Sequence, residues 1–101
     1  MSSPLSRGDA ISGEFDLDEV LRALAHPDRR RFVVACRGKA RAAGDLAELS
    51  QLSLATVSEH LKVLRKSGLL ILDKRGRFWF YTADLAVLQR AEAALRELSE
   101  G

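Results

Sequence analysis

The chain is poor in most of the groups that enzymes and secreted domains are built on. A single cysteine, Cys36, excludes an internal disulfide framework and any dithiol switch within one chain. There is no Gly-rich phosphate loop and no nucleophile paired with a base. With only His26, His60 and Cys36 as soft donors, there is no metal-ligand cluster at recognisable spacing. An enzyme is therefore the poorer functional class, the more so because so small a domain has little room for a pocket. No apolar run approaches the roughly 20 residues of a membrane span. The N-terminus lacks the basic-then-apolar order of a signal peptide, so a reducing cytosol is the expected compartment. Six aromatics against a hydrophobic content of 47% imply a core of Leu, Val and Ala on helices. At 101 residues the chain makes one domain, of a size that buries roughly two-thirds of its unfolded surface.

What is present is charge in blocks. The net charge is only +2, but residues 1–24 carry −3, 25–41 carry +5, 42–60 carry −3, 61–82 carry +5 and 83–101 carry −2. Basic blocks alternating with acidic ones can give a bipolar surface, and its basic face attracts polyanions more than the net charge implies. A mixed, soluble surface would have the same composition.

The chain is organised around the stretch from Asp45 to Leu70. Leu46 and Leu49 have helical spacing, and after Gln51-Leu52-Ser53 a second set follows at Val57, Leu61 and Leu64, then Leu69. Ser53 is suited to cap the second helix, and Gly68 to end it in the left-handed conformation. The opposite face of that helix carries Thr56, Ser58, Glu59, His60, Lys62 and Arg65, with Ala55 at the first turn. Small and hydrogen-bonding residues at its start would allow approach to base edges, and cations toward its end would reach phosphates. That is a helix-turn-helix reading; an ordinary amphipathic helix pair is the plain alternative.

Before this unit, residues 1–15 are expected to be a flexible tail. Asp16 opens a helix with Leu17, Val20, Leu21 and Leu24 on one side, and Asp18 and Glu19 favour its start. Pro27 stops that helix, and Asp28 can open the next, with Phe32, Val33 and Cys36 inward. The following basic segment, RGKARAAG, reads as a poorly ordered connection.

After Gly68 the pattern changes to β-prone runs, Leu69–Asp73 and Phe78–Thr82, around Lys74-Arg75-Gly76-Arg77. This predicts a hairpin with three cations at its tip, Lys74, Arg75 and Arg77, with Phe78 and Phe80 on one face and Trp79 and Tyr81 on the other. A helix-turn-helix followed by such a hairpin is the winged-helix arrangement. The expected fold is mainly α with a small β-hairpin, in the order α-α-α-α-β-β-α, over residues 16–101. The last segment brings Leu85, Leu88, Ala91, Leu95 and Leu98 to one helix face. With the first helix it carries more apolar surface than one core needs, so a homodimer through the first and last helices is expected. The alternative is that both simply cap the monomer's core.

The stretch LRALAHPDRRRFVV…GDLAELSQLSLATVSEHLKVLRKSGLLILDKRGRFWFYT, about residues 17–82, resembles the arsenic-repressor (ArsR/SmtB) family of bacterial winged-helix regulators, most specifically in ATVSEHLKVLRKSGLL. The resemblance implies a homodimeric repressor that binds double-stranded DNA at imperfect inverted repeats near promoters and, in many members, lets go when a metal or other inducer binds. It implies recognition-helix positions at Leu54, Ala55, Thr56, Ser58, Glu59, His60 and Lys62, and wing positions at Lys74, Arg75 and Arg77. Arg65 and Lys66 read as phosphate contacts or as a solvated helix end. Leu54 could meet a thymine methyl or simply pack, and a base- or phosphate-bound His60 would make affinity pH-sensitive.

Departures from the family pattern count as well. Members that sense thiophilic metals often carry Cys-x-Cys before the Asp-Leu opening the first helix of the motif, where this chain has Ala42-Ala43-Gly44. Others use Asp/His and His/Glu pairs on the last helix, where this chain offers Asp84, Glu92, Glu97 and Glu100 without histidine. No metal site of the known family kinds and no cofactor are expected. Cys36 is expected to pack, since free cysteine is commonly buried; Arg37 and Lys39 would lower its pKa only if it were exposed. A repressor without a ligand and one with an unnamed inducer both fit. So does a winged helix whose exposed face binds a protein partner instead of DNA, although the cationic wing argues against it.

Overall fold

The computed structural model describes residues 15–100. Five helices and three short strands follow in the order α1 (Leu17–Leu24), α2 (Pro27–Ala35), β1 (Arg41–Ala42), α3 (Ala43–Ser50), α4 (Leu54–Lys66), β2 (Leu70–Arg75), β3 (Phe78–Ala83) and α5 (Leu85–Glu100). The expected tail lies, apart from Phe15, outside the described residues.

Local chemistry sets the helix boundaries. The Asp16 carboxylate accepts from the Glu19 amide at 3.2 Å, capping α1. α2 starts at Pro27, one residue earlier than expected, because a proline at the first helical position gives up a donor that would have no partner there. His26, extended at φ −100°, caps it by accepting from the Asp28 amide at its Nδ1. Ser53 accepts from the Thr56 amide at 3.1 Å and donates to Thr56 Oγ1 at 2.9 Å. The joint between α3 and α4 depends on Gln51, which adopts φ 61°, a left-handed conformation rare outside glycine. Its amide still closes on the Ala47 carbonyl at 2.8 Å. At the far end of α4, Gly68 takes φ 87°, as expected of a residue reversing the chain after a helix.

The sheet is antiparallel, ordered β1–β3–β2. The segment RGKARAAG, expected to be irregular, contributes β1, which pairs Arg41 with Tyr81 and Ala42 with Phe80. Two residues carry too little periodicity to announce a strand; the pairing comes from the edge that β3 offers. The hairpin closes on the Arg75–Phe78 pair, with a positive φ of 63° at Gly76 alone, which fits a type II′ turn.

The core gathers Val20 and Ala23 of α1, Phe32 and Val33 of α2, Cys36, Leu46 of α3, Val57, Leu61 and Leu64 of α4, and Leu69, Leu70 and Tyr81 around the hairpin. These are mostly the inward positions that the spacing assigned. Leu49 and Leu21 are exceptions, left partly in water. Only Ala91 of α5 is fully buried, while Leu85, Leu95 and Leu98 stay exposed. No helix among the described residues is long and apolar enough to cross a membrane.

Candidate nucleic-acid interface

Burying Val57, Leu61 and Leu64 fixes the rotation of α4 and so decides what faces outward. Leu54, Ala55, Thr56, Ser58, Glu59, Lys62, Arg65 and Lys66 are all exposed. Leu54, at 56% exposure, is not a packing residue. Small and hydroxyl side chains occupy the first two turns, and Lys62, Arg65 and Lys66 cluster at the other end. Glu59 and Lys62 lie 3.8 Å apart in solvent, a pair worth little to stability in that setting.

His60 is the correction. Helical spacing put it on the outward face, yet it is only 8% exposed. Its ring lies 4.4 Å from that of His26 and 6.0 Å from that of Phe32, and its Nδ1 accepts from Arg29 Nε at 3.2 Å. A position at the margin of a helix face goes whichever way a polar partner waits, and here α2 supplies one. Burial chiefly, then the neighbouring His26 and Arg29, lower the His60 pKa, with Asp28 opposing.

Arg29 was not legible as a functional residue, being one cation in a basic run. Besides His60 it reaches the carbonyls of Arg22 at 3.3 Å and Ala23 at 3.5 Å, joining α1, α2 and α4. His26, Asp28 and His60 bring donor atoms within 4.8 Å of one another, a grouping of distant residues that no spacing rule reveals. The Nδ1 atoms of both imidazoles already accept hydrogen bonds, and the Arg29 guanidinium adds a cation beside them. That donor set suits a polar clasp better than a metal.

The wing differs from expectation in one respect. Lys74 and Arg75 belong to β2 rather than to the turn, and side chains alternate along a strand, so they project to opposite faces. Lys74 Nζ stacks 4.5 Å over the ring of Trp79, its cross-strand partner. Arg75 sits 4.9 Å over Phe80 and is paired with Asp73 at 2.9 Å. Arg77 stands exposed in the turn itself. Cys36 is fully buried, and burial pushes its thiol from 9.0 up to about 11, the Arg41 guanidinium opposing the rise without cancelling it.

A helix-turn-helix whose second helix presents small, hydroxyl and cationic side chains, followed by a basic hairpin, defines a winged-helix DNA-binding protein. A helix-turn-helix domain family matches residues 24–73. The chain is 30% identical to the transcriptional repressor SdpR of Bacillus subtilis (strain 168) over 73 residues, covering 72% of this chain and 81% of SdpR. It is 35% identical over 63 residues to the HTH-type transcriptional repressor SmtB of Mycobacterium tuberculosis (strain ATCC 25618 / H37Rv), matching 62% of this chain but only 47% of SmtB. The fold is similar to that of an ArsR-like transcriptional regulator from Rhodococcus sp. RHA1, with a TM-score of 0.75 at 26% identity, covering 83% of this chain and 79% of that one. The chain belongs to the ArsR/SmtB family of winged helix-turn-helix transcriptional regulators, which are DNA-binding proteins and not enzymes.

Proposed function

We propose that the chain is a cytoplasmic, homodimeric repressor that binds an inverted-repeat operator, with α4 in the major groove and the wing along the backbone. The observation that carries this reading is the exposed row on α4, where nearly every side chain free of the core can meet a base edge or a phosphate. Leu54, Ala55, Thr56 and Ser58 approach base edges, and Glu59 accepts from a cytosine amine or excludes other bases. Lys62, Arg65, Lys74, Arg75 and Arg77 meet phosphates. His60 is left out of the contact set and acts by holding α4 against α2.

The dimer reading is supported by apolar surface that one protomer leaves uncovered. An open groove of about 490 Å³ runs between α1 and α5, lined by Leu24, Leu85, Leu88, Ala91 and Leu95 among others. Farther along α5, Leu98 is 75% exposed. A second copy offering the same face would cover both and set two α4 helices side by side. In this reading metals of the known family site types play no part: Ala42 and Ala43 stand where thiols would be needed, and α5 carries no histidine.

The test is a fluorescence-anisotropy titration against DNA upstream of the protein's own gene, beside an unrelated duplex of equal length at about physiological salt. Tight binding to the upstream DNA alone, at two protomers per site and unchanged by added zinc, is the expected result. Absence of binding to either duplex would favour a protein partner for the α4 face. Leu95→Glu should yield monomers by analytical ultracentrifugation and weaken operator binding; an unchanged dimer would move the interface elsewhere.

A further inference from the structure

A second groove, of about 650 Å³, opens between α2 and α3, away from the exposed row of α4. Its walls are Val34 and Leu49, with Phe32 beneath, and Arg30, Arg31 and Arg41 stand around it. Val34 and Leu49 are 56% and 61% exposed, an unusual state for two large aliphatic side chains facing one depression. Among the described residues, no acidic side chain lines the groove.

The arginines are held in different ways. Arg31 pairs with the Asp28 carboxylate at 2.9 Å, so its charge is answered. Arg30 instead donates to the Leu24 carbonyl at 2.6 Å, and Arg41 to the Ala35 carbonyl at 2.9 Å. A carbonyl fixes a guanidinium without neutralising it, and each guanidinium keeps further N–H groups for a bidentate partner.

We propose that this groove binds a small amphiphilic monocarboxylate, an aliphatic or aryl acid whose apolar part covers Val34 and Leu49 and whose carboxylate meets Arg30 and Arg41. The volume lies within the roughly 300–1,000 Å³ typical of small-ligand sites. A DNA phosphate would satisfy the cations but gain nothing from the aliphatic walls, and a neutral apolar molecule would leave the guanidinium groups unanswered. Leu49 and Ser50 belong to α3, the first helix of the helix-turn-helix, so an occupant touches the unit that carries α4.

The full chain is titrated by calorimetry with decanoate below its micelle concentration, and with decyltrimethylammonium as the opposite charge. One decanoate per protomer is expected to bind saturably, at least about tenfold more tightly than the cation. Arg30→Gln and Leu49→Ser, both at exposed positions, should each weaken decanoate by about tenfold while leaving the thermal melt in place. Absence of saturable binding, equal binding of the cation, or binding untouched by both substitutions would overturn the site. So would an Arg30→Gln variant that loses affinity for DNA but not for decanoate, since Arg30 would then be a phosphate contact. The calorimetric experiment contains no DNA, so this proposal and the operator reading stand or fall separately.

Discussion

Arg29 Nε donates to His60 Nδ1 across 3.2 Å, joining residues 31 positions apart in sequence. The bond requires His60 to be unprotonated at Nδ1, since an imidazolium has no acceptor. It therefore ties the seating of α4 to the charge state of one buried ring. Because the folded-state pKa lies below the ordinary 6.5, the unfolded chain takes up the proton first as pH falls. The stability owed to this group is complete above 6.5 and declines as pH drops from there toward the folded value. Thermal melts between about pH 7.5 and 5.5 should show this loss, and His60→Gln, which keeps an acceptor but does not titrate, should flatten it. An identical slope in the variant would assign the loss to other groups.

Ser53 holds the start of α4 through two bonds to Thr56. Ser53→Ala should cost about 1 kcal/mol of stability in urea unfolding, and Ser53→Asp far less, because a carboxylate caps equally well. Similar losses in both variants would mean that the hydroxyl donation to Thr56 Oγ1, rather than the cap, matters.

On the wing, Asp73 and Arg77 should act in opposite directions. Arg77→Ala should weaken binding to every duplex and lower the slope of log affinity against log salt by about 1. Asp73→Asn removes the partner at 2.9 Å that now answers Arg75, and should strengthen binding without regard to sequence. Salt titrations of the two variants that move together would remove the wing from the contact set.

Cys36, buried and with its thiol pushed up to about 11, should be inert to a disulfide reagent in the folded protein and reactive on unfolding. Rapid modification under native conditions would reveal an opening of the core around α2. Peroxide treatment should leave DNA affinity unchanged.

Much of the fold is local and was therefore legible. The spacing of Val57, Leu61 and Leu64 puts one side of α4 in the core, and the remaining row outward follows from the period of a helix. Ser53 and Gly68 mark the ends of α4 because capping chemistry acts within three or four residues. The β-prone runs Leu69–Asp73 and Phe78–Thr82 around a Gly-containing connection give the hairpin, and the resemblance over residues 17–82 gives the family.

What tertiary structure decided concerns residues whose partners lie far along the chain. The two-residue strand β1 exists because β3 presents an unpaired edge to it. His60 turns inward because Arg29, His26 and Phe32 meet it from α2 and the residue before it. Lys74 and Arg75, adjacent in sequence and alike in charge, part to opposite faces of a ribbon whose turn begins at Gly76, two residues later than the expected connection. The Arg30 and Arg41 side chains converge on one groove only when α3 packs beside α2. Helical period and capping are nearest-neighbour properties, which a sequence states directly. The partner of a buried polar group, or of a strand edge, is set by packing between distant segments.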